Sequence, residues 1–208
     1  MDNTKEFCDE LPGADECETG FDETAVSADP YFEYDQKRAS CSFTGHRVIS
    51  SVDKAELLPR LKSTVLYLVS LGVRDFHCGG ALGFDTLAAS VVYDISREHP
   101  GVRLILELPY ENQADNWEDK DKRIYEFIKS KADEINVHSK KPKSKEEAIK
   151  ALFLRNRIMI DKSHYCVCYL KSEKAVRGGT AYTVNYAKLH DLQIINLADG
   201  NTAINAHG

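Results

Sequence analysis

The 208-residue chain has no uninterrupted apolar run of bilayer length, no CxxC pair, no internal repeat and no GxGxxG fingerprint. Each absence removes a class of protein. Without a long apolar run no membrane-spanning helix is expected, and 42% hydrophobic with 29% charged residues is ordinary for a globular domain. The opening MDNTKEFCDE lacks a basic region followed by an apolar stretch, so no secretory signal is read and a cytoplasmic location is expected. Without CxxC, and with Cys41, Cys78, Cys166 and Cys168 inside apolar runs, the cysteines read as buried free thiols rather than bridges or metal ligands. Cys8 and Cys17 stand among acids with no histidine nearby, which argues against a zinc site.

Basic residues are scarce at one end. Residues 1–40 hold twelve acids against Lys5, Lys37 and Arg38, a net of −9; with −6 for the whole chain, the remainder carries +3. A strongly acidic stretch with few apolar residues cannot bury enough surface to offset its ordering entropy. The expected organisation is therefore a disordered acidic tail over 1–38, one domain over 39–199 and a short flexible C-terminus over 200–208. The tail ends in DPYFEYDQ, whose Tyr31, Phe32 and Tyr34 could dock on the domain. The alternative is a solubilising leader without specific contacts. A protein partner engaged through the tail stays open.

From Ser40 onward, short apolar runs alternate with longer amphipathic ones. ASCSF, VRDFHC, VRLILEL, EINVH, HYCVCYL and LQIINL read as strands. Between them, helices are predicted over Asp53 to Leu71, Gly83 to Glu98, WEDKDKRIYEFIKSK, Lys145 to Lys162 and Gly179 to His190. Leu57, Leu61, Val65 and Leu68 in the first of these recur at three- and four-residue steps. Such alternation predicts an α/β three-layer fold of right-handed βαβ units, with a mainly parallel sheet and helices on both faces. Ligands of open parallel sheets bind outside the carboxyl ends of the strands, which directs attention to the loops there.

Four of those loops are unusual: TGHR, CGGALGFD, LPYENQADNW and KSEKAVRGGT. The second and fourth are glycine-rich and open helices, so free backbone N–H groups and the positive helix end could face an anion. Arg47 and Arg177 stand beside strand ends and suit a phosphate. Glycines that only turn the chain, with His46 and Arg47 solvated beside Gly45, are the plainer alternative. Asp85 falls in the first turn of its helix, where it either caps backbone N–H groups or meets a ribose hydroxyl or base edge. On the fourth helix Arg155 and Met159 share a face; Arg157 and Asp161 share another and could pair.

TGHR, HCGGALGFDTLAA, LPYENQADNW, RNRIMIDKSHYCVCY and RGGTAYTVNYA, in this order, resemble the YpsA-like branch of the SLOG superfamily. The similarity runs from about Cys41 to Leu197. It implies a Rossmann-like fold whose strand-end loops hold a nucleotide or a nucleotide-derived ligand of the NAD, ADP-ribose or nucleoside-phosphate type. Relatives in that superfamily include the LOG phosphoribohydrolases and DprA, a single-stranded DNA binder; others are regarded as sensors linked to stress, prophage or defence. By position, Gly45, His46, Arg47, Gly79, Gly80, Gly83, Asp85, Arg155, Asn156, Gly178, Gly179 and Thr180 become the expected ligand-binding residues. Gly45 would let a ligand approach the backbone, and Arg47 would present its planar fork to a phosphate. His46 would stack on a base or orient Arg47.

One departure bears on catalysis. LOG enzymes follow their glycine loop with catalytic glutamates, whereas GGTAYTVNYAKLH has no acid from Gly178 to His190. A ligand sensor is therefore expected, with an N-glycosidase or phosphoribohydrolase using Asp85 or Glu111 as the alternative. A single-stranded nucleic-acid binder is the further alternative, against which a core charge of +3 without a Lys/Arg stripe argues. No cofactor is evident, and homo-oligomerisation is left open.

Overall fold

A computed structural model describes residues 35–171 and 178–198. Most of the expected tail, with Tyr31, Phe32 and Tyr34, lies outside the described residues, as do Cys8, Cys17, Arg177 and the segment 200–208. Residues 35–38, expected to belong to the tail, instead form a helical turn. It is tied down by Ala39 N–H donating to Asp35 O (3.1 Å) and by Ser40 Oγ donating to Gln36 O (2.6 Å).

Among the described residues, six strands and five helices alternate. They are β1 Ser40–Gly45, α1 Ser51–Ser70, β2 Asp75–Cys78, α2 Phe84–Ser96, β3 Arg103–Leu108, α3 Asp119–Lys129, β4 Glu134–Val137, α4 Lys145–Asp161, β5 Tyr165–Tyr169, α5 Gly179–Leu189 and β6 Gln193–Asn196. The helix starts follow local chemistry. Ser50 caps α1 by accepting from Asp53 N–H (3.1 Å), and Ser144 caps α4 by accepting from Glu147 N–H (3.2 Å). The strands form one parallel sheet in the order β4-β3-β2-β1-β5-β6.

Strand alternation divides the sheet into two faces. Cys41, Phe43, Phe76, Cys78, Leu104, Leu106, Leu108, Val167 and Tyr169 point into the main core, packed by α1, α2 and α3. Cys166 and Cys168 point to the other face, against Ile160 of α4 and Ala181, Val184 and Ala187 of α5. The four cysteines of the described residues are free and buried, as expected. Burial pushes the Cys166 thiol up to about 12, so it stays protonated and behaves as an apolar side chain. Among the described residues no helix is long and apolar enough to cross a membrane.

The α4 face is not uniformly apolar. Glu107 of β3 is fully buried, and its Oε1 accepts from His77 Nδ1 (2.9 Å) and Lys162 Nζ (3.0 Å). Its Oε2 accepts from His138 Nε2 (2.5 Å). Burial alone would oppose ionisation, but the bonds from His77, Lys162 and His138 outweigh it and hold the carboxyl at about 2. One carboxylate thus ties β2, β3, the segment after β4 and the end of α4 together.

A carboxyl held low when folded stabilises the fold above its unfolded value of 4.5, and the contribution disappears as pH falls toward 2. The parent chain is expected to lose about 3 kcal/mol over that interval from this group. Glu107→Gln should be destabilised by a similar amount near neutral pH and should lack that acid-side loss. Urea unfolding at a series of pH values checks both; superimposable profiles for the two proteins would contradict the assignment.

Candidate functional site

The order of strands reverses between β1 and β5, because the chain leaves edge strand β4, crosses over by way of α4 and returns beside β1. That reversal opens a crevice at the carboxyl ends of the two strands. A cavity of about 310 Å³ lies there. Of the twelve residues expected at the site, Arg47, Asp85, Arg155, Asn156, Gly179 and Thr180 line it. Gly45, His46, Gly79, Gly80, Gly83 and Gly178 are not on its wall.

Arg155 is the most constrained of the lining residues. Its side chain is 4% exposed, and its guanidinium occupies the space a Cβ would need at Gly79, where such an atom would lie 1.4 Å from Nη1. Nη1 donates to Glu107 O (3.3 Å) and sits 3.8 Å from Asp85 Oδ2, whereas Nε has no hydrogen-bond partner among the described residues. Burial lowers the guanidinium's affinity for its proton, and Asp85 restores part of it. Burial likewise pushes the Asp85 carboxyl up, opposed by Arg155, by Ala81 N–H at 3.4 Å and by Arg47. Arg47 is exposed and pairs with no carboxylate among the described residues. Two arginines thus face one carboxylate, leaving a net positive charge in a partly dry cleft.

Gly45, Gly79 and Gly83 serve the protein's own packing, whereas Gly178 and Gly179 have open space where a Cβ would stand. Gly79 makes room for Arg155. Gly83 has φ +81°, and a Cβ there would meet Arg47 O at 2.3 Å, so only glycine lets the start of α2 seat against the TGHR loop. Beside Gly45 the space expected for a ligand is filled by Phe84, with a Cβ position only 2.5 Å from its ring.

His46 neither stacks in the cavity nor bonds to Arg47. Its Nε2 accepts from Lys171 N–H (3.2 Å), and its ring meets Tyr169 edge-on at 5.9 Å, so it braces β1 against β5. Thr180 Oγ1 donates to Gly45 O (2.9 Å), and Asn156 Nδ2 donates to Thr183 Oγ1 (2.8 Å), which ties α4, α5 and β1 into one wall.

The two glycine-opened helices differ at their starts. At α2 the first N–H, that of Phe84, is taken by His46 O (3.1 Å), and Asp85 bonds back to its own loop rather than to helix N–H groups. At α5 no side chain among the described residues caps the start, and Gly179 and Thr180 line the cavity. Of the two helix starts, that of α5 is the one that opens on the cavity.

Ile149, Leu152 and Phe153 form an apolar wall that the sequence reading missed. They share a helix face with Asn156 at three- and four-residue steps, a signal present in AIKALFLRN. Phe153 is held edge-on against Tyr182, ring centroids 4.5 Å apart.

Removing Asp85 strands a buried cation, so Asp85→Ala is expected to cost about 3 to 5 kcal/mol in urea unfolding. Asp85→Ala combined with Arg155→Met should cost clearly less than the two single changes together. Strict additivity would show that the two side chains do not interact.

The model of the YspA SLOG family (YpsA) matches residues 52–198. A UPF0398 protein of Bacillus cereus strain B4264 is 31% identical over 128 residues, covering 62% of this chain and 67% of its own length. Another, from strain G9842, is 34% identical over 109 residues, 52% of this chain and 56% of its own. Among solved structures, DNA processing protein A from Helicobacter pylori, described for its single-stranded DNA binding mode, has a TM-score of 0.51 at 18% identity. That likeness covers 78% of this chain and 66% of the other, and it is one of fold alone. With the parallel sheet, the loops at its carboxyl edge and the family pattern agreeing over most of its length, the chain belongs to the YspA SLOG family.

Proposed function

We propose that the chain binds a nucleotide-derived anion in the cleft between β1, α4 and α5, as a ligand sensor that does not cleave what it binds. The observation that carries the reading is the pairing of a helix start and Arg47, neither capped nor ion-paired by a side chain among the described residues, with the apolar Ile149, Leu152 and Phe153 around one cavity. A phosphate suits the first: backbone N–H groups, the helix dipole and a guanidinium all favour it. A flat heteroaromatic ring suits the second, since an aromatic face gains from stacking in a partly dry site.

Hydrolysis is the second reading, favoured by one observation. Asp85 lies in the cavity with its carboxyl raised by burial. N-glycosidic cleavage develops positive charge on the ribose and needs a carboxylate held against it. Asp85, however, is engaged by Ala81 N–H and lies beside Arg155, and both oppose that use.

Thermal-shift measurements with AMP, ADP-ribose and NAD test binding, because a ligand that binds only the folded state raises the melting temperature. Arg47→Ala should weaken the best ligand by roughly ten- to a hundredfold, as expected for one charge-assisted bond, with little change in fold. Unaltered affinity would take Arg47 out of the site. AMP incubated with the protein should remain intact over hours; adenine release that disappears in Asp85→Asn would replace the sensor reading with the hydrolase.

A further inference from the structure

Helix α4 has a second working face. Opposite the cleft, Lys150, Leu154 and Arg157 line a groove of about 520 Å³ whose other wall is the segment after β4, with Lys140, Pro142 and Lys143. The cations lining it are Lys140, Lys141, Lys143, Lys150 and Arg157; its carboxylate is that of Glu147. Lys141 leans toward Asp115 at 3.8 Å, and Glu147 is occupied as an acceptor from Lys143 N–H (2.6 Å). Among the described residues, Lys140, Lys143, Lys150 and Arg157 have no carboxylate within ion-pair distance. Like charges gathered round one concave surface repel one another and favour an anionic occupant. The floor between them is apolar: Pro142 and Leu154, the latter 38% exposed.

We propose that this groove holds the chain's own acidic residues 1–34. That segment carries eleven acids against Lys5, a net of −10. Its acids are interleaved with apolar and aromatic residues, as in EFCDEL, GFDET and DPYFEY. An acidic segment of this kind matches both features of the groove, cations at the rim and apolar carbon at the floor. A nucleic acid matches only the first, because no aromatic residue lines the groove to stack a base. Reach is not limiting: thirty-four residues can extend roughly 110 Å, several times the radius of a domain this size.

The test is zero-length carbodiimide cross-linking of the full chain at low salt, read by mass spectrometry. Cross-links from the acids of residues 1–34 are expected to concentrate on Lys140, Lys143 and Lys150, and to fade at high salt, where the screening length shrinks to a few ångströms. A Lys143→Glu/Lys150→Glu chain, with both changes at exposed positions, should keep its melting temperature and lose most cross-links at Lys140. Cross-links spread evenly over exposed lysines elsewhere, such as Lys54, Lys62 and Lys188, would overturn the proposal. In a mixture of isotopically light and heavy protein the links should stay within one isotope; mixed pairs would assign the groove to a second copy. Strong oligothymidylate binding that the double change abolishes, without these cross-links, would assign it to nucleic acid.

Discussion

A guanidinium buried to the extent of Arg155 is costly unless something inside the fold compensates it, and the site's architecture follows from how that is done. The side chain enters through the gap left at Gly79, bonds to the backbone of β3 and lies beside Asp85. Those contacts fix α4 over the carboxyl edge of the sheet. With α4 fixed, Ile149 and Phe153 on one side of the helix face the cleft while Lys150 and Leu154 face the outer groove. The compensation is partial, since Nε finds no partner among the described residues and Arg47 adds a second cation. The cleft's described side chains therefore carry two guanidinium groups against one carboxyl.

The fold was readable because hydrophobic period and turn chemistry agree along the chain. ASCSF and HYCVCYL differ from β1 and β5 by one or two residues at each end, and the helix over Lys145 to Lys162 differs from α4 by one. Three things were not readable. The turn at 35–38 depends on hydrogen bonds into Ala39 and Ser40, which an acidic composition does not reveal. The Glu107 cluster draws on four separate segments; in sequence it is one acid in VRLILEL, two ordinary histidines and a lysine. Arg157 and Asp161, spaced to pair on α4, are not joined among the described ion pairs, and Asp161 instead accepts from Tyr186 Oη (3.0 Å) on α5.

At the site, the residue types were legible and their duties less so. Arg47, Asp85, Arg155, Asn156, Gly179 and Thr180 do converge on one cavity. The glycines were read toward a ligand, yet what fills the space at Gly79 and Gly45 is Arg155 and Phe84, side chains distant in sequence. A missing Cβ says that something comes close; sequence alone does not say what. The bracing contact of His46 was not legible for a similar reason, because its partner, the N–H of Lys171, belongs to a strand end that becomes a neighbour only when β5 inserts beside β1.

The central claim is that the carboxyl edge of β1 and β5 forms an anion site closed by the start of α5. A crystal structure of the protein with AMP at saturating concentration tests it most directly. The account predicts phosphate density within hydrogen-bond reach of the Gly179 and Thr180 backbone and of Arg47, with the ring beside Phe153. AMP bound elsewhere, or no density in that cleft at saturation, would contradict it.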